Sequence, residues 1–84
     1  MEQFETGMMA RSKSGHDAGK MYVITKVEEA YVYLVDGKVR TLDKPKKKKK
    51  KHVQLIKESF DIQGATDVDI KRWIKIWNKE DNQN

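Results

Sequence analysis

Six consecutive lysines, Lys46–Lys51, stand in mid-chain directly after the only proline, Pro45, in the stretch DKPKKKKKKHVQLI. Such runs usually belong to solvated tails, yet this one has patterned sequence on both sides. Whatever fold the chain adopts must draw its core from those flanks. Pro45 disfavours helix just before the run and limits its starting geometry. The segment 44–52 is therefore read as a basic loop that a folded domain holds at both ends.

The charge is as localised as the run suggests. Residues 1–43 carry six basic and seven acidic side chains, residues 44–57 carry eight lysines and no acid, and residues 58–84 carry four basic and six acidic groups. The whole excess of the +5 chain lies in one short segment. A polyanionic partner is the expectation, met at that segment. With 84 residues and no cysteine, the chain has room for one small domain without disulfides or thiolate metal sites. The first residues, MEQFETG, are acidic and lack an apolar run, so no secretory signal is expected. The longest apolar run, residues 30–35, is too short to span a bilayer. A soluble, cytoplasmic protein with no membrane partner is expected.

Before the lysines, apolar and polar residues alternate at strand spacing. Residues 8–12 read as a first strand, followed by the turn-rich SKSGHDAGK. Residues 21–27 and 31–35 are β-branched and aromatic, joined by a turn at Glu28-Glu29. Asp36-Gly37 then signals a type I′ hairpin into a fourth strand, residues 38–42. A fifth is expected at residues 52–56. The second and third strands are apolar on both faces, which implies that one face lines a small barrel while something else covers the other. The cover is expected at the C-terminus. There Thr66 or Asp67 caps DVDIKRWIKIWNK, and Ile70, Trp73, Ile74 and Trp77 fall on one helical face. The expectation is a mainly β fold: a five-stranded SH3-like barrel over residues 6–57, a connector and helix over 58–79, an arm at 1–5 and a disordered tail at 80–84.

Function is sought in two segments. In SKSGHDAGK, Gly15 and Gly19 sit between strands with Lys13, His16 and Lys20 close by. Glycines at this spacing serve a tight turn, and they also let the backbone approach a phosphate. No Gly-Lys-Ser/Thr follows and no helix opens, so this is not a nucleotide-binding P-loop. In the second segment, Lys44 and Lys46, Lys47, Lys48, Lys49, Lys50 and Lys51 precede His52. Each lysine can displace a counterion from a phosphate without reading a base. Arg40 adds a fork of donors, or pairs with Asp36 or Asp43. Tyr22, Tyr31 and Tyr33 offer faces for unpaired bases, although strand tyrosines in so small a domain more often serve the core. Catalysis finds little support. His16-Asp17 is the only adjacent acid–base pair of interest, and neighbouring residues usually point apart. No cofactor, metal or small-molecule substrate is expected.

Residues 6–37, TGMMARSKSGHDAGKMYVITKVEEAYVYLVDG, resemble a KOW motif, and KVRTLDKPKKKKKKHVQL extends the likeness. Together they are similar to the bacterial KOW-domain RNA-binding proteins related to the fourteen-e family of large-subunit ribosomal proteins. The match falls on Gly15, Asp17, Gly19, Gly37, Arg40, Pro45, Lys46, Lys47 and His52. It departs at Ala18 and Met21, where a basic residue is common, which shifts weight from the glycine loop to the lysines. The resemblance implies an SH3-like barrel that binds RNA, with ribosomal RNA and ribosomal proteins as partners in a ribosome or translation setting. The rival expectation is a protein-interaction module docking an acidic surface.

Overall fold

The computed structural model describes residues 3–81. Its strands are β1 (Met8–Ser12), β2 (Met21–Val27), β3 (Tyr31–Val35), β4 (Lys46–Lys49) and β5 (Val53–Ser59), followed by the helix α1 (Asp67–Asp81). The five strands form one antiparallel sheet in the order β4-β3-β2-β1-β5. A single 3-10 turn, Lys50–His52, carries the chain from one edge strand to the other. It is pinned on both sides, by Lys50 N–H donating to the Ala30 carbonyl and by Lys13 N–H donating to the His52 carbonyl. The sheet thus curls, as a small barrel-like domain requires. Register shifts at Met8/Met9 and between Ile24 and Lys26 increase the local twist that such curling needs.

Both faces of the central strands are buried, as their two-sided apolar pattern demands. Ala10, Tyr22, Ile24, Val32, Leu34 and Val53 form the interior cluster. Met9, Met21, Val23 and Val35 point the other way and meet Ile70 of α1, with Trp73, Ile74 and Trp77 packed alongside. The helix is the expected cover. Ile70 is fully buried, and truncating it to alanine would cost about 3 kcal/mol by the usual measure of a core deletion. Trp73 stacks on Phe60 with ring centroids 4.7 Å apart. Thr66 is the cap: its Oγ1 accepts from Asp69 N–H, while the Asp69 carboxylate accepts from Thr66 N–H. This reciprocal pair satisfies two otherwise orphaned donors and holds the Asp69 carboxyl below its usual range.

Three expectations are corrected. The fourth strand is Lys46–Lys49, not residues 38–42, so the basic loop 44–52 is a strand followed by a 3-10 turn. No non-glycine residue has positive φ among those described, so Asp36-Gly37 does not form a type I′ turn. Instead Asp36 Oδ1 accepts from the N–H groups of Lys38 and Arg40, and the Arg40 carbonyl accepts from those of Asp36 and Gly37. That closed loop takes up the groups a hairpin ladder would have used. It also lies against the helix, where Leu42 N–H donates to the Asp67 carboxylate. A Cβ on Gly37 would fall on the Asp67 carbonyl oxygen, so the approach requires glycine. Finally, α1 continues through residues 80 and 81, which the tail was expected to contain; residues 1–2 and 82–84 lie outside those described.

Candidate nucleic-acid interface

The lysine run is a strand, so its side chains alternate, and the alternation divides them. Lys46 pairs with Leu34 and Lys48 with Val32, two residues of the interior cluster. The stems of Lys46 and Lys48 therefore follow the barrel interior, and their ammonium groups emerge at its end. There they meet Asp17, carried in by the glycine loop. Lys46 Nζ lies 2.7 Å from Asp17 Oδ2 and Lys48 Nζ 3.1 Å from Oδ1. Ser12 Oγ donates to Oδ1 at 2.9 Å and the Tyr22 hydroxyl to Oδ2 at 3.3 Å. Lys48 Nζ also donates to the Ser14 carbonyl at 2.9 Å.

The Asp17 side chain is only 7% exposed. Burial pushes its carboxyl up, but hydrogen bonds from Lys46, Lys48 and Ser12, with the charge of Lys46, outweigh that and hold it well below the usual carboxylate range. Burial, with the Asp17 charge behind it, pushes the Tyr22 phenol up to about 12. Asp17 is thus an anion fully engaged in tying the glycine loop to β4. His16 is exposed and is not among its partners, so the two do not form an acid–base pair.

Within the loop, Gly15 and Gly19 take φ of +86° and +89°, a region that side chains avoid. Their surroundings differ. A Cβ on Gly15 would lie 3.5 Å from the Asp17 carboxylate and 3.7 Å from Lys48 Nζ, so Gly15 faces the ion cluster. Gly19 faces open space and is the glycine that an outside group can approach.

On the outer side of β4, Lys47 and Lys49 are exposed. Lys47 Nζ sits 4.5 Å from the Tyr31 ring centroid and 5.9 Å from that of Tyr33, with Glu28 at 3.8 Å. Lys26 approaches the Tyr33 ring at 5.3 Å. A hollow of about 470 Å3 opens beside Tyr31, lined by Glu29, Ala30, Lys49, Lys50 and Lys51. Lys50 Nζ lies 5.5 Å from the Phe4 ring, which packs on the interior cluster.

Of the residues expected at the site, Gly15, Lys46 and Lys48 converge on Asp17, while Lys47, Lys49, Lys50 and Lys51 gather around Tyr31. Lys13 and His52 are joined through their backbones. Lys20 stands at the far end of the glycine loop. Arg40 and Lys44 belong to the segment that crosses the helix start, and neither forms an ion pair among the described residues. Tyr22 is buried, whereas Tyr31 and Tyr33 are half-exposed. The organising role of Asp17 was missed; its signal was an acid placed between two loop glycines. Among the described residues no three His, Asp or Glu side chains are grouped to hold a metal ion, and no helix is long and apolar enough to cross a membrane. Comparison with known proteins finds no family model and no curated sequence that matches the chain.

Proposed function

We propose that this protein binds RNA through its phosphate backbone, with Lys47, Lys49, Lys50 and Lys51 as the main contacts. The observation that carries the reading is the outer side of β4. Lys49, Lys50 and Lys51 line a hollow walled by Tyr31, Lys47 lies over the Tyr31 ring, and of these four only Lys47 has a carboxylate within ion-pair distance among the described residues. Lysines supply phosphate affinity, and Tyr31 supplies a face on which an unpaired base can stack. The glycine loop is fixed to β4 by Asp17, with Gly19 open to the approach of an outside group. Lys46 and Lys48 organise this surface rather than join it, because both are engaged by Asp17 and their side chains are largely buried.

The KOW resemblance favours RNA over DNA and a ribosomal RNA, in a translation setting, over other RNAs. Asp17, the acid of the His16-Asp17 pair, is held by its lysines well below the range in which a carboxylate serves as a base. The test is a salt titration of binding to an RNA hairpin, an RNA duplex and a matched DNA duplex. Four lysine–phosphate contacts predict a slope of log K against log salt near −3 for single-stranded RNA, at about −0.7 per contact. A preference for one RNA that persists as salt rises supports the reading. Equal binding to all three, lost together with salt, would reduce β4 to a generic polycation and leave an acidic protein surface as the better partner.

A further inference from the structure

A second cationic site lies away from β4, assembled from residues that are scattered in sequence. Lys20 from the glycine loop, Lys38 from the Asp36 loop, and Lys71 and Lys75 from α1 line one open groove of about 570 Å3. None of the four forms an ion pair among the described residues. The one carboxylate in the lining is Asp36, whose Oδ1 already accepts two backbone N–H groups. Lys71 and Lys75 stand one helical turn apart, a like-charge spacing that weakens a helix when nothing answers it. The groove therefore concentrates positive charge at a small cost to the fold.

Its remaining walls suit a nucleotide rather than a bare ion. Met21 and Ile74 provide an apolar floor, and Val39 is held 76% exposed at the rim. Gly19 leaves one side open to close approach. The glycine loop runs between strand β4 and the groove, since its Ser14–Gly15 end is tied to Lys48 and its Gly19–Lys20 end lines the groove.

We infer that the groove is a second contact for the same RNA strand. It takes phosphates that continue past the glycine loop from β4, with Val39 and Ile74 against sugar or base. The inference rests on the RNA reading of β4 and extends it to a longer footprint. The molecule is 32 Å across its longest axis, which corresponds to about nine nucleotides of a stacked strand at roughly 3.4 Å each. A strand of about five nucleotides is then held by β4 alone, and one of about twelve reaches both sites.

The experiment compares wild type with a Lys38→Gln, Lys71→Gln, Lys75→Gln variant, all three positions being exposed. Binding to single-stranded RNAs of these two lengths is followed by fluorescence anisotropy across a salt series, beside a Lys47→Gln, Lys49→Gln, Lys50→Gln, Lys51→Gln variant. The expected result is a slope for the long RNA shallower by about 2, from three lost contacts at about 0.7 each, with the short RNA bound as by wild type. An unchanged slope for the long RNA, while the β4 variant still loses binding, overturns the groove alone. An equal loss at both lengths also overturns it, because the groove would then be an independent anion site. Wild-type protein that binds neither RNA overturns the reading of β4 and the groove with it.

Discussion

Lys46 and Lys48 differ from Lys47 and Lys49 only in which side of one strand they occupy. The first pair runs along the barrel interior, and its ammonium groups close on Asp17 at 2.7 and 3.1 Å. The second pair faces outward, Lys47 over the Tyr31 and Tyr33 rings and Lys49 in the hollow beside Tyr31. Two lysines are therefore structural, holding a loop to a strand, and two face solvent, Lys47 with Glu28 at 3.8 Å and Lys49 with no ion pair among the described residues. The contrast teaches that formal charge overstates what a surface offers. A strand alternates its side chains whatever their identity, and one buried carboxylate draws two of the strand's four lysines away from the solvent face.

The strongest way to break the contrast is Asp17→Asn. It leaves two mostly buried ammonium groups facing each other without an anion, at a cost of about 3 kcal/mol, the scale for removing one partner from a buried pair. Urea unfolding at neutral pH measures it, and wild-type stability in the variant would show that the cluster is incidental. The same group sets a pH dependence. Its folded carboxyl is held below the unfolded value of about 3.9, so its contribution is complete above that value and is lost as pH falls through and below it. Wild type should lose stability as acid is added below about pH 4, and Asp17→Asn should lose less.

A pair of double variants sharpens the comparison. Lys46→Gln with Lys48→Gln strands the Asp17 carboxylate and should cost about 2 kcal/mol while leaving the RNA salt slope unchanged. Lys47→Gln with Lys49→Gln should change stability by less than about 0.5 kcal/mol and make that slope shallower by about 1.4. Identical behaviour of the two doubles would erase the distinction between inner and outer lysines. Tyr31→Leu tests the aromatic wall: affinity for unpaired RNA should fall by about 1 kcal/mol while duplex binding holds. Equal losses on both would make Tyr31 a packing residue. The smallest effect belongs to Glu28→Gln, which frees Lys26 and Lys47 from contacts at 3.7 and 3.8 Å. Stability should stay within about 0.5 kcal/mol, and RNA binding should tighten by about twofold. Weaker binding would show that Glu28 positions Lys47 rather than competing for it.

What was legible in the sequence follows from how each element is encoded. The first three strands announce themselves through alternation at strand spacing, two-sided in the second and third, and the helix through its Ile70–Trp77 stripe and its cap. The fourth strand carries no such pattern. Lysine is a poor strand former, whereas residues 38–42 alternate as a strand would. The Lys46–Lys49 pairing is instead secured by tertiary context: Tyr31 to Leu34 offer a ladder, and Asp17 offers an anion. The glycine loop and the lysines were legible as a cationic region. Their division was not, because six identical residues hold no record of which face each will take. The groove was equally hidden, since Lys20, Lys38, Lys71 and Lys75 become neighbours only when the helix packs on the sheet.

Strand β4 is also a margin of the sheet, paired on one side with β3 and ending the strand order. An unpaired strand border invites a second chain to add its own strand, the route by which β proteins stick to one another. Here a copy arriving β4 to β4 would bring lysine against lysine, in a segment without a single carboxylate. The run that equips the protein to meet a polyanion thus also guards this edge of the sheet against its own copy.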